Sequence, residues 1–77
     1  MYNSSIKPEN RVRELRLESG MKTETLAKQL NMSTSMLQQI ETRKRTISPS
    51  TLIKLSKIFN VSTDYILCLT TKREQNK

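Results

Sequence analysis

Between Thr23 and Glu41 the apolar residues fall into two sets at helical spacing. Leu26, Ala27 and Leu30 recur at i, i+1 and i+4, and Leu37 and Ile40 at i and i+3, so each set lines one face of a helix. The break between them, Asn31-Met32-Ser33, is three residues long, room for one sharp turn. Asn31 suits that turn because asparagine tolerates the left-handed backbone region better than most residues. Ser33 offers a side-chain oxygen to cap the helix that follows, which runs to about Glu41. Helices joined so tightly must cross closely: Ala27 is small enough to permit the approach, and Leu26, Leu30, Met32, Leu37 and Ile40 fill the angle between them.

The flanks extend this pattern to five helices. Residues 1–7 read as a polar N-terminal arm, and Pro8 suits a first helical turn, where its missing amide hydrogen is not needed. Val12 and Leu15, joined by Leu17, mark a first helix from Glu9 to Ser19 that Gly20 stops. Downstream, Thr42-Arg43-Lys44-Arg45-Thr46 is a basic loop. Ser48-Pro49 opens a fourth helix with Leu52, Leu55, Ile58 and Phe59 on one face and Asn60 at its end. Ser62 caps a fifth, with Asp64 in its first turn and Tyr65, Ile66 and Leu69 sharing a face. Residues 70–77 have nothing to bury and read as a flexible basic tail. The expected architecture is all-α, a compact domain over residues 8–69.

Composition narrows the function classes. A chain of 77 residues is about one small domain. Its 14 Lys and Arg against 7 Asp and Glu give a net charge of +7, yet 34% of the residues are apolar, more than a charged disordered tail carries. There is no histidine, and Cys68 is the only thiol. The chain alone therefore builds neither a four-ligand zinc site nor a Cys/His nucleophile pair, and no metal, cofactor or enzymatic activity is expected. The aromatic residues Tyr2, Phe59 and Tyr65 are too few to stack several bases of a single strand. No apolar run approaches the roughly 18 residues of a membrane span. The start Met1-Tyr2-Asn3-Ser4-Ser5 is not a signal peptide's, so a cytoplasmic location is expected.

With the two close-crossing helices in view, the segment from about Val12 to Leu67 resembles the phage repressor and Cro class of DNA-binding domains. The likeness includes Arg13-Glu14-Leu15-Arg16 in the first helix, Leu52-Ile53-Lys54-Leu55-Ser56-Lys57-Ile58-Phe59-Asn60-Val61-Ser62 in the fourth, and Asp64-Tyr65-Ile66-Leu67 in the fifth. The resemblance implies a five-helix bundle of the lambda-repressor-like type, with helices two and three as its helix-turn-helix. It also implies a structural ion pair between Arg16 on helix one and Glu41 at the end of helix three. This chain departs from the family pattern at three places. Asn31 stands where Gly is commonest, Lys22 stands where a capping side chain is preferred, and Thr42-Arg43 replaces a frequent polar-Gly pair. The second departure moves the expected cap of helix two to Thr23.

On the wheel of helix three, Leu37, Ile40 and Glu41 point one way while Ser35, Gln38, Gln39 and Thr42 point the other, with Thr34 in the exposed first turn. That outer face carries no charge although the protein is basic. Amides and hydroxyls suit base edges in a major groove: Gln bonds bidentately to adenine, and Ser and Thr meet several bases. Arg43, Lys44 and Arg45 follow directly and suit the flanking phosphates. Thr23, Thr25 and Lys28 on helix two are weaker backbone candidates. Up to Gln38 there are six basic and four acidic residues, and after it eight and three, so the positive charge concentrates where the loop and tail lie.

The function these features favour is a sequence-specific double-stranded DNA binder acting as a transcriptional regulator, of repressor type because occluding a promoter needs only binding. One domain reads few base pairs, so a homodimer presenting two recognition helices about 34 Å apart to a palindromic operator is expected, with Leu67 and Cys68 as the contact. Other readings stay open: an antitoxin that binds a toxin and its own promoter, a controller of a restriction-modification operon, a domain bound by an antirepressor, or a protein-interaction module without DNA binding.

Overall fold

A computed structural model describes residues 10–73, and within them it contains five α-helices and no strand: α1 (Val12–Glu18), α2 (Thr23–Gln29), α3 (Thr34–Glu41), α4 (Pro49–Phe59) and α5 (Thr63–Ile66). The expected arm and the placement of Pro8 in a first turn lie outside the described residues. Helix α1 begins at Val12 rather than Glu9, with Arg11 at its N-cap. The entry is set by Asn10, whose Oδ1 accepts from the Val12 amide at 3.0 Å while its Nδ2 donates to the Ile40 carbonyl at 2.9 Å. One side chain thus starts α1 and ties it to the far end of α3.

Local chemistry explains most boundaries. Ser33, Ser48 and Ser62 each accept from the amide three residues on, at Met36, Thr51 and Tyr65, and each such cap contributes about 1 kcal/mol. Helix α2 has no side-chain cap: Lys22 keeps the N-cap position, so the expected shift to Thr23 does not occur and Thr23 is the first helical residue. At the other ends all five helices leave through a left-handed residue: Gly20, Asn31, Arg43, Asn60 and Cys68, with φ between 55° and 70°. The following amides bond back across the last turn, as from Met32 to Ala27 and from Lys44 to Gln39.

Helices α2 and α3 pack on each other, α1 on α3, and α4 on α5. Val12, Leu26, Leu37, Ile40, Leu55 and Ile66 are the fully buried centre, with Leu52, Ile58 and Phe59 of α4 packed against it. Two apolar expectations fail. Leu17 is 57% exposed, because a residue two positions after Leu15 lies about 200° around the helix and cannot share its stripe. Leu69 is 71% exposed, because α5 stops at Ile66 and the left-handed Cys68 turns the chain off the core. Among the described residues no buried side-chain nitrogen or oxygen lacks a partner, and no helix is long and apolar enough to cross a membrane.

Candidate nucleic-acid interface

Helix α3 has one side sunk in the core and one open. Leu37 and Ile40 anchor the inner side. Glu41 is anchored by charge: Arg16 Nε donates to its Oε2 at 2.7 Å and Arg16 Nη2 to its Oε1 at 3.1 Å, while Nη1 donates to the Met21 carbonyl at 3.0 Å. The planar fork fixes both distance and direction, so the roll of α3 against α1 is set at its C-terminal end. On the open side Ser35, Gln38 and Thr42 are exposed, and Thr34 and Gln39 are half-buried.

An open cleft of about 810 Å³ runs beside this side, lined by Arg13, Leu17, Thr23, Gln38, Thr42 and Arg43 among others. A second, of about 620 Å³, brings Lys22, Thr23 and Thr34 to Gln38. The structure therefore gathers Thr23, Thr34, Gln38, Thr42 and Arg43 around the middle and end of α3. Ser35, Lys44 and Arg45 are exposed nearby without lining either cleft, and Lys28 is exposed in the last turn of α2, also outside both.

Hydrogen bonding limits what two of these groups can offer. Thr42 Oγ1 donates to the Gln38 carbonyl at 2.8 Å, so its proton is used inside α3 and an acceptor lone pair and a methyl remain. Arg45 Nε donates to Gln39 Oε1 at 3.2 Å. Arg43 stands at φ 66°, the left-handed region that favours glycine. Sequence reasoning missed Arg13, an exposed cation that lines the larger cleft, as do Arg43 and the exposed Glu14. A signal was present: Arg13 lies one turn before Arg16 and so shares its side of α1.

Away from α3 the segment after α5 is held as far as Arg73. Of residues 70–77, those up to Arg73 are described, and Arg73 is bound rather than free. Its carbonyl accepts from the Ser62 amide at 2.9 Å, its Nε donates to the Tyr65 hydroxyl at 3.1 Å, and its Nη2 to Glu18 Oε2 at 2.7 Å. The Arg11 guanidinium lies 4.2 Å from the Tyr65 ring centre and donates to the Tyr65 and Thr70 carbonyls. The hydrogen bond from Arg73 holds the Glu18 carboxyl below the usual carboxylate range. Leu67 and Cys68 are half-buried, and Cys68 is a free thiol. No group of three or more His, Cys, Asp or Glu that could hold a metal occurs among the described residues.

A family description, "Helix-turn-helix", matches residues 12–66. The chain belongs to the helix-turn-helix family. The helix-turn-helix span opens on the first residue of α1 and closes on the last of α5. It thus takes in the Arg16–Glu41 pair and the whole open side of α3, and leaves out Leu67, Cys68 and Arg73. Among curated proteins the chain is similar to the HTH-type transcriptional regulator ImmR of Bacillus subtilis (strain 168), 39% identical over 57 residues, which is 74% of this chain and 45% of that protein. The chain thus spans under half the length of this helix-turn-helix relative. No solved structure matches it significantly.

Proposed function

We propose that this chain is a sequence-specific, double-stranded DNA-binding transcriptional regulator of lambda-repressor-like type. In this reading α2 and α3 form the helix-turn-helix and α3 enters the major groove. The observation that carries it is the uncharged amide and hydroxyl side of α3, open to solvent on a protein of net charge +7 and bordered by Thr23, Arg13 and Arg43. A merely solvated helix on such a protein would display Lys or Glu there. Gln38, with Thr34, Ser35 and Gln39, reads base edges, and the methyl of Thr42 suits a thymine methyl. Arg43, Lys44, Arg45 and Arg13 meet phosphates, with Thr23 and Lys28 on the backbone at the α2 side. The Arg16–Glu41 pair orients α3 without touching DNA. The likeness to a protein named a transcriptional regulator supports this role. Occupancy of a promoter by a homodimer, joined through Leu67 and Cys68, makes it a repressor.

Selection of a randomised duplex library on the full chain tests the proposal. Gln38→Ala is expected to erase preference at one base position, a loss of about 1 to 3 kcal/mol of discrimination. Arg43→Ala with Lys44→Ala is expected to weaken all duplexes alike and to flatten the log-affinity against log-salt slope by about 0.9 for each phosphate no longer neutralised. Wild type that retains no duplex, or variants that both bind as wild type does, would overturn it.

A further inference from the structure

The basic loop after α3 folds back onto the helix it leaves. Arg43 adopts a left-handed φ of 66°, and the amides of Lys44 and Arg45 then both donate to the Gln39 carbonyl, at 2.8 and 3.2 Å. The backbone of Arg45 is thereby fixed close to Gln39 before its side chain makes any contact. That side chain returns to the same residue, with Nε donating to Gln39 Oε1 at 3.2 Å. A guanidinium has five N–H donors and no acceptor, so it meets a primary amide only at the oxygen. The Gln39 amide is consequently held in one of its two flip states, oxygen toward the loop. Gln38, one residue earlier and exposed, has no side-chain partner among the described residues.

We infer that Arg45 is a positioning residue for base reading: through the Gln39 amide it sets the order in which donor and acceptor are presented to the groove. This rests on the reading of α3 as the recognition helix, and it gives Arg45 a role beyond the phosphate contact. An adenine edge shows an acceptor beside a donor. An amide free to flip meets such an edge in either order, and a held amide in one. Holding the oxygen does not use up the group, because Oε1 keeps a second lone pair and Nε2 keeps both hydrogens. Because the loop backbone has already placed Arg45, little further ordering is needed on binding.

Library selection followed by competition with single-base variants, on the full chain, tests this with Gln39→Ala, Arg45→Ala, their double variant and Arg45→Lys. Gln39→Ala identifies the base position it reads, where about a 5- to 100-fold preference is expected to vanish. Arg45→Ala is expected to lose at least about fivefold of that preference and to add no further loss in the Gln39→Ala background, the signature of residues acting as a unit. Arg45→Lys keeps the charge but puts a methylene in place of Nε, and is expected to retain the salt slope while losing the preference. Arg45 is exposed, so a thermal melt matching wild type is expected for Arg45→Ala and Arg45→Lys. Arg45 variants that weaken every duplex uniformly with the preference intact would reduce Arg45 to a phosphate contact and overturn the inference alone. So would a selective wild type from which Gln39→Ala removes nothing. Wild type without preference at any position would remove the base-reading proposal as well.

Discussion

Two ion pairs leave α1 from positions two residues apart and close to the same 2.7 Å, but they sit in different surroundings. The Arg16 and Glu41 side chains are 11% and 5% exposed, and every Arg16 nitrogen has a partner. The Glu18 and Arg73 side chains are about half exposed, at 49% and 51%, and joined by one hydrogen bond. Equal length therefore says little about what either pair contributes. Removing one partner of a buried pair strands a charge away from water, whereas removing one partner of an exposed pair returns the other to solvent. The inner pair also fixes the end of α3, while the outer one fastens Arg73, beyond α5, to α1 beside Tyr65. The first bears on how α3 is presented, the second on how the domain closes.

The largest effect is expected at Glu41. Glu41→Ala leaves the Arg16 guanidinium buried without its carboxylate, and urea unfolding should report a loss of about 3 to 5 kcal/mol, a large share of the stability of a domain this small. Replacing both partners with apolar residues of similar size, Arg16→Met with Glu41→Leu, should recover most of that stability, since no charge is stranded. It should recover less of the discrimination between duplexes, because the directional hold of the Arg16 fork on the roll of α3 is gone and only Leu37, Ile40 and the Asn10 bond to the Ile40 carbonyl remain. A Glu41→Ala loss as small as that of Arg73→Ala would break the contrast between the pairs.

Two residues beyond Glu41, the end of α3 carries its own cost. Arg43 holds a left-handed backbone conformation that disfavours a side chain by about 1 to 2 kcal/mol. Glycine relieves that but loses more backbone freedom on folding, about 0.4 to 1 kcal/mol. Arg43→Gly should therefore raise stability by about 0.5 to 1 kcal/mol while weakening retention of all duplexes. Opposite signs in one substitution would show the position trading stability for charge. A melt unchanged or lowered would mean that the strain is absorbed elsewhere.

What was legible in the sequence was local. Ser33, Ser48 and Ser62 announce their helices because a cap acts over three residues, and Asn31 and Asn60 announce their turns because the left-handed preference belongs to the residue itself. The open side of α3 follows from periodicity alone. The joining of Arg16 to Glu41 came only through family resemblance, since 25 residues separate them and no periodicity links two helices. Arg43 and Cys68 hid their left-handed backbones because neither residue type advertises one. The bonds from Arg73 to Tyr65 and Glu18, like the bond from Arg45 to Gln39, depend on where a long flexible side chain lands after the backbone has turned. Composition reads such residues only as charge.

The smallest effect is expected at the outer pair, and its pH dependence separates it from the inner one. Arg73→Ala should lower the urea midpoint by much less than Glu41→Ala does, because both groups keep contact with water. The Arg73 hydrogen bond lowers the Glu18 carboxyl in the folded state, and a lowered acid contributes stability above its unfolded value and loses it as pH falls through the folded one. The gap between wild type and Arg73→Ala should therefore be present at neutral pH and close on acidification below the ordinary carboxylate range. Salt should narrow it as well, by screening the exposed charges. A gap that persisted at low pH would assign the contribution of Arg73 to Tyr65, through the hydrogen bond to its hydroxyl and the guanidinium carbon 5.2 Å from the ring centre. Neither contact requires an ionised Glu18.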